Sequence, residues 1–496
     1  MENSRQINKI YPVLTFILPL IVRSIPEILA WPWPIGFDPI AFYVPWIMKG
    51  YPLNLGLIEM LKGTRLFPLL ALAMNFLIND PILTVKILGP ILYALLGLSM
   101  YLFARRALGW PPKKCFFLVL ICSLYFVSLR ISWEMYRQML GTIFLLLTLT
   151  AHHTQKPKAL PLTIIFSILT ALSHEIATVT LLAILLADGI RCLLKRDLKK
   201  LPSIFFTLLL VSVFFIYMLY DPKIGFIKLP LERYSESWPM LAQFILGFLV
   251  YCYAFLSPFA LYGALKVRNR FVHYWTASVL IIGLWPLIYP LATPPLWFRW
   301  IIFLVYPMSI YFTEGIYCTL TSKKEDSPRS VKIFAGILIA FIILSAGCYL
   351  VAPPEKAFPY FSDYNPYKAY IQSSMLQSTI PISDIDDVMA ALDWISENAD
   401  GECMLVLHEA FYPWSLLRGR VKCEVMRVPE CDLTKPVKKT FADQLVKISR
   451  KFADNGKAVY TIWWVKGKGW YNVPSLPSCF KQLVSYGHIA VYTYTS

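Results

Sequence analysis

Residues 160–190 read LPLTIIFSILTALSHEIATVTLLAILLADGI, and the number of times they cross a membrane decides the topology of everything after them. As one long helix they set Lys156 and Lys158 on the opposite face from Arg191, Lys195, Arg196, Lys199 and Lys200. As two crossings around the polar apex Ser173-His174-Glu175 they leave both basic groups on one face. Lys and Arg concentrate in the short cytoplasmic links of membrane proteins, which selects the second reading. A tight hairpin is expected, Leu160 to Ser173 and then Ile176 to Ile190.

The rest of residues 1–351 obeys the same parity. Apolar runs predict about eleven spans: Ile10 to Leu29, Ile82 to Ala104, Cys115 to Leu129, Met135 to Ala151, the two of the hairpin, Ser203 to Tyr220, Leu241 to Leu265, Val272 to Tyr289, Trp300 to Leu320 and Ile333 to Val351. Several are shorter than the ~20 residues of a standard span, so their ends are soft. With these spans 20 basic residues share one face: Arg5, Lys9, Arg105, Arg106, Lys113, Lys114, Lys156, Lys158, the Arg191 to Lys200 group, Lys266, Arg268, Arg270, Lys323, Lys324, Arg329 and Lys332. That face is expected to be cytoplasmic, with Met1 inside and Ser496 outside. The run Arg65 to Ile78 is placed outside, as an interfacial or re-entrant helix in a long first outer loop (30–81). Counting it as a span would expel Arg105 to Lys114 from the cytoplasm. Trp, Pro and Phe follow the first apolar run where a signal peptide would carry small residues, so this run is expected to stay as a span.

Composition agrees. The 496 residues are 57% hydrophobic and 16% charged, with mean hydropathy +0.56, which excludes a purely cytosolic protein. The net charge of +17 is not a nucleic-acid signal, because residues 352–496 hold 16 Lys/Arg against 15 Asp/Glu and the excess lies in the links between spans.

After the membrane domain (1–351) comes an aromatic, Pro-rich linker (352–381) and then residues 382–496, read as a small extracytoplasmic α/β domain. Ile385 to Asn398 is a predicted helix with Asp384 as its cap. Cys403 to Leu407, Val421 to Val428, Ala458 to Val465 and Ile489 to Tyr494 are predicted strands. Phe441 to Phe452 is amphipathic, with Phe441, Leu445, Ile448 and Phe452 on one face. Cys403, Cys423, Cys431 and Cys479 lie on the expected oxidising side, where three full pairings are possible and free buried thiols are the alternative. The fold class expected overall is mainly α: a polytopic helical membrane bundle followed by this domain.

Ionisable groups at membrane depth are costly and tend to line cavities, so the few on the outer face form the candidate site. They are Asp38 in Gly36-Phe37-Asp38-Pro39, with Tyr43 five residues on; Arg65; Arg130, Glu134 and Arg137; His174 and Glu175; Arg233 with Tyr234; and Arg299 in Trp297-Phe298-Arg299-Trp300. Parity brings these six segments to one membrane surface, where convergence on one cleft is expected. Each has a structural alternative. Asp38-Pro39 is a good helix start, with the carboxylate capping and Pro at the first helical position. Arg130, Glu134 and Arg137 have the spacing of a salt-bridged helix end. Arg299 between tryptophans fits a headgroup anchor, and His174-Glu175 fits a wet hairpin apex. Arg23 and Glu27, one turn apart, are expected to neutralise each other.

In the order of these parts the sequence resembles the polytopic glycosyltransferases of the C-type (GT-C) superfamily, which use polyprenyl-phosphate sugars. That group includes protein mannosyltransferases, aminoarabinose transferases and the catalytic subunits of oligosaccharyltransferases. The residues that carry the resemblance are the first loop Gly36-Phe37-Asp38-Pro39-Ile40-Ala41-Phe42-Tyr43, the apolar helix from Arg65 and the span end Phe103-Ala104-Arg105-Arg106. Trp133-Glu134-Met135-Tyr136-Arg137-Gln138-Met139-Leu140-Gly141 and Leu172-Ser173-His174-Glu175 look like archaeal members. The oligosaccharyltransferase motif Trp-Trp-Asp-Tyr-Gly is missing, since Trp463-Trp464-Val465-Lys466 departs from it after two residues.

The resemblance implies an inverting membrane transferase acting at the extracytoplasmic face. It would move a sugar from a polyprenyl-phosphate donor to a hydroxyl of a lipid, glycan or protein acceptor. Asp38 would be the base, beside Tyr43, and Arg130, Arg137, Arg233 and Arg299 would hold the phosphate or sugar-phosphate. Glu134, His174 and Glu175 would orient groups or bind a divalent cation, Mg or Mn. A phosphate is already a good leaving group, so a general acid is less necessary than in a glycosidase with its carboxylate pair, and arginines hold it bidentately. Two other classes share parts of the pattern: a transporter or lipid-linked glycan flippase, and a polysaccharide polymerase or ligase. Against the first of these, the sequence shows no inverted repeat and no charge chain at the bilayer midplane, both common in transporters.

Overall fold

The computed structural model describes residues 2–495 except 54, 57–58, 60–63, 155–158, 222–225, 228–236, 292–295, 323–327, 352–379, 400, 419–420, 429–440 and 466–475. Arg233, Tyr234, nearly all of the expected linker and Cys431 therefore lie outside the described residues. The chain forms two compact units. One contains Met1–Pro26 and Gly50–Leu350; the other contains Glu27–Lys49 and Ser373–Ser496.

A helix stands at each of the eleven predicted span positions. Six are long and apolar enough to cross a membrane: Ile10–Leu29, Pro81–Arg106, Glu175–Leu194, Leu201–Leu219, Trp297–Thr321 and Arg329–Val351. The chain is thus a multi-pass membrane protein. Two more predicted spans are broken. Cys115 to Leu129 becomes Pro112–Leu124 and Phe126–Glu134, bent by 67°, and Leu241 to Leu265 becomes Trp238–Tyr253 and Ser257–Lys266, bent by 79°. At the first break Tyr125 is extended, with ψ 126°. Tyr136–Thr154, Leu160–Ser173 and Arg270–Gly283 occupy the remaining positions. Leu66–Ile78 is a short apolar helix in the predicted outer loop. Two short antiparallel strands, β1 (Tyr220–Asp221) and β2 (Phe226–Ile227), follow Leu201–Leu219.

Local chemistry fixes several helix ends. The Asp80 carboxylate accepts from Ile82 N and Leu83 N at 2.9 and 3.0 Å, Pro81 stands at the first helical position, and Arg105 and Arg106 close the last turn. Ser257–Lys266 and Val305–Thr321 cross with backbones touching. A methyl group on Gly263 would run into Tyr311 O, and one on Gly315 into Phe259 O.

The hairpin is present. The helix breaks at His174, which is extended (φ −161°, ψ 137°). A methyl on Gly141 would lie 2.9 Å from His174 Cβ and 3.0 Å from Ala177 Cβ, and eleven residues further along both helices His152 Nε2 is 3.3 Å from Asp188 Oδ2. Glu175–Leu194 therefore runs parallel to Tyr136–Thr154. Leu160–Ser173, joined to the end of Tyr136–Thr154 by a short link and finishing beside Gly141, runs antiparallel to both. The chain reverses direction at His174.

In the second unit a five-stranded sheet has the order β4-β3-β5-β7-β6, from β3 (Cys403–His408), β4 (Glu424–Val428), β5 (Ala458–Trp464), β6 (Phe480–Tyr486) and β7 (Ile489–Tyr494). β3 pairs parallel with β4 and β5, while β7 pairs antiparallel with β5 and β6. All six residues of β3 are buried. Phe441 of the helix Phe441–Ala453 stacks on Trp463 at 4.7 Å, with the His408 ring edge-on to both. Burial pushes the His408 imidazole down to about 4, and its Nδ1 accepts from Ala410 N at 3.1 Å. His408 is a neutral core residue. Trp463 and Trp464 likewise belong to the core.

Two details differ from expectation. Asp384 makes no capping hydrogen bond to the helix Ile385–Asn398; it accepts from Trp464 Nε1 at 3.2 Å and pairs with His488 Nδ1 at 3.0 Å. The strand predicted from Val421 begins at Glu424, directly after Cys423, which is joined to Cys403 in a disulfide. Cys479 is a free, half-buried thiol.

Candidate functional site

In the first unit the candidate residues gather around one break. The helix Phe126–Glu134 stops at Met135 (φ −89°, ψ 54°) and a new helix starts at Tyr136. Arg130 and Glu134 lie on one side of the break as an i, i+4 pair at 2.7 Å, with side chains only 2% and 4% exposed. Arg137, on the other side, pairs with Glu175 at 2.8 Å, where the side chains are 27% and 46% exposed. Thr64 Oγ1 also donates to Glu175, at 2.9 Å. Across the break Arg137 thus reaches a carboxylate of another helix.

Other segments close on this point. In the last turn of a helix carbonyls lack intrahelical donors, and Ser132 O accepts from Arg23 Nε at 2.9 Å. Arg23 Nη2 donates to Tyr136 Oη at 3.0 Å. Gly89 backs this contact so closely that a side chain there would strike the Tyr136 ring. Trp133 stacks flat on Tyr349 at 4.4 Å, which brings the helix Arg329–Val351 beside the charges of Arg130 and Glu134. His174 Nδ1 accepts from Ile176 N at 3.2 Å and so caps its helix, leaving the proton on Nε2, which faces Glu175 Oε2 at 3.7 Å. Arg137 and Arg299 both act electrostatically on His174.

Arg299 is half-buried between buried Trp297 and Trp300, and Trp297 packs edge-on against Phe244 and Phe248. Tryptophans buried in the bundle do not float at headgroups, so the anchor reading of this segment is set aside. Arg65 stands at the start of Leu66–Ile78, its guanidinium donating to Glu59 O and lying over the Tyr51 ring.

Thus Arg130, Glu134, Arg137, His174, Glu175 and Arg299 come together in the first unit. Arg23 joins them. Sequence spacing suggested only Glu27, one turn away, as its neighbour; the contacts of Arg23 to Ser132 O and Tyr136 Oη bridge 109 and 113 residues and have no signature in linear spacing. The group divides by exposure: Arg130–Glu134 is a closed inner pair, whereas Arg137, Glu175 and Arg299 form the open side. Among the described residues no three His, Cys, Asp or Glu side chains could share a metal ion. Glu134 is held by Arg130, and Glu175 by Arg137 and Thr64, so the expectation of a Mg or Mn site on Glu134, His174 and Glu175 is not met.

Asp38 and Tyr43 belong to the second unit. Asp38 is buried, its own backbone is helical, and its side chain makes no capping hydrogen bond to the π-helical turn Pro39–Tyr43 that follows. The cap reading of Asp38 is therefore incorrect. Tyr43 is buried, with Trp46 at 5.6 Å.

No family profile and no curated protein matches this chain. Among solved structures it is similar to the cryo-EM structure of the arabinofuranosyltransferase AftD from Mycobacteria, at 11% identity and a TM-score of 0.47 over 98% of this chain. The chain spans 40% of the length of that protein.

Proposed function

We propose that this protein is a membrane glycosyltransferase of the GT-C type, moving a sugar from a polyprenyl-phosphate donor to an acceptor hydroxyl at the extracytoplasmic face. The observation that carries the reading is the open set of Arg137, Glu175 and Arg299 beside the closed pair Arg130–Glu134, within an otherwise apolar bundle. Charges are retained there against their burial cost, as a site for an anionic headgroup requires. Arg137 and Arg299 would grip the donor phosphate bidentately, with Arg130 and Glu134 holding the helix break in shape. Arg233 is kept as a further phosphate ligand.

Asp38 would take the proton of the acceptor hydroxyl as its oxygen forms a bond to the anomeric carbon. The bond from that carbon to the phosphate oxygen breaks on the opposite side, polyprenyl phosphate departs and the configuration inverts. A buried carboxylate that does not cap its helix supports this role for Asp38. The Cys403–Cys423 disulfide supports an oxidising, extracytoplasmic surrounding for the sheet domain.

The test is Asp38→Asn in the purified protein. Asn has nearly the same shape but is not a base, so donor binding should persist while transfer falls by about 10²–10⁴-fold. Near-normal transfer would remove Asp38 from the reaction and favour the polymerase or ligase class, which needs no acidic residue in the first loop.

A further inference from the structure

The first-loop segment that carries Asp38 packs on the sheet domain. The helix Tyr412–Arg418, which follows β3, lies against both Pro39–Tyr43 and Val44–Met48. Its Trp414 is fully buried and meets the Trp33 ring edge-on, with centroids 6.2 Å apart. Trp33 Nε1 donates to Asp386 Oδ1 at 3.2 Å, in the first turn of Ile385–Asn398. That helix is in turn fastened to the sheet. Asp384 holds Trp464 at the end of β5 and His488 in the β6–β7 turn, and Asp387 Oδ2 accepts from His488 N at 2.9 Å. Asp38 is thus gripped on both sides, by Trp33 before it and by the Pro39–Met48 helical segment after it, through contacts that run back to the sheet.

We infer that the C-terminal sheet domain positions the Asp38 carboxylate, with Trp414 and Trp33 as positioning residues. The inference rests on the reading of Asp38 as the base. A base works only within hydrogen-bond reach of the proton it removes, and a displacement of about 1 Å can cost about 10²-fold in rate. Ring packing on a domain with its own sheet restricts the segment far more than a free loop would.

Two readouts on the full-length protein test it. Hydrogen exchange of backbone amides 37–48 reports the docking, and kcat alongside donor Kd reports the positioning. Trp414→Ala should raise exchange in 37–48, lower kcat at least about tenfold and leave donor Kd unchanged, while Trp414→Phe, which keeps a ring, should retain most of both. Should Trp414→Ala fail to fold, Trp33→Phe and Asp386→Ala each remove the Trp33–Asp386 hydrogen bond, and exchange around Trp33 should rise, with Asp386→Asn restoring protection. Unchanged exchange in the folded variants overturns the docking. Raised exchange with unchanged kcat overturns the positioning. A wild-type chain without transfer activity fails the reading of function, and the exchange result then decides the docking by itself.

Discussion

Arg130 and Arg137 lie seven residues apart and look alike in the sequence, yet the break at Met135 gives them different physics. Arg130 is sealed with Glu134, and removing one partner of a buried pair strands the other charge at a cost of about 3–5 kcal/mol. Arg137 and Glu175 are part-exposed, and such a pair contributes only about 0–1 kcal/mol. Arg130→Ala should therefore lower the thermal unfolding temperature sharply, while Arg137→Ala should leave it nearly unchanged and weaken donor binding. Arg299→Lys, which keeps charge but loses the two-pronged geometry, should weaken donor binding too. Thermal unfolding and donor titration on the same detergent-solubilised samples check this, and a reversed pattern would exchange the roles of inner and outer pairs. The identities of these residues were legible because charges are scarce in apolar sequence. The pairing of Arg130 with Glu134 was legible too, from its i, i+4 spacing, whereas that of Arg137 with Glu175 was not, since they lie 38 residues apart and on different helices.

Elements show the same division. Helix positions follow from apolar runs, and Ile385–Asn398 and Ile489–Tyr494 fall where periodicity put them. The bends of 67° and 79° stayed hidden because apolar residues flank Tyr125 and the 254–256 turn alike. β6 was missed because it is a largely exposed edge strand with little hydrophobic alternation. The short helix Tyr412–Arg418, which bears on the Asp38 segment, offers too few turns for a periodic signal. Close helix crossing is the clearest case of information present in the letters but unreadable without a partner: Gly263 and Gly315 are unremarkable singly, yet each lies against the other helix's backbone. Gly263→Ala puts a methyl into the Tyr311 carbonyl, and backbone has no rotamer with which to yield. The bundle must separate there, so Gly263→Ala should destabilise more than Gly336→Ala, whose methyl meets nothing within 4 Å. Equal unfolding temperatures of the two variants would refute the close crossing.

For the whole molecule the decisive feature is the reversal at His174, because the side proposed for every later link depends on it. The register of Gly141 against Ala177 and of His152 against Asp188 gives the reversal without reference to charge, whereas the sequence reached it only by counting basic residues. The packing and the basic-residue count agree on a hairpin, and labelling can test the topology proposed from it. Lys199 is exposed in the link between Glu175–Leu194 and Leu201–Leu219, and Lys447 is exposed on the amphipathic helix Phe441–Ala453. Lys199→Cys and Lys447→Cys are placed in a background that keeps the Cys403–Cys423 disulfide and lacks the other cysteines. A membrane-impermeant maleimide added to intact cells should then label Lys447→Cys at once and Lys199→Cys only after permeabilisation. Labelling of both from outside would mean an odd number of crossings between them fails to hold, and would place the Arg191 to Lys200 cluster against the positive-inside rule. Protection of Lys447→Cys until permeabilisation would put the sheet domain in the cytoplasm. Asp38, which packs with that domain, would then have no access to an extracytoplasmic acceptor, and the proposed transfer could not occur where the donor headgroup is expected.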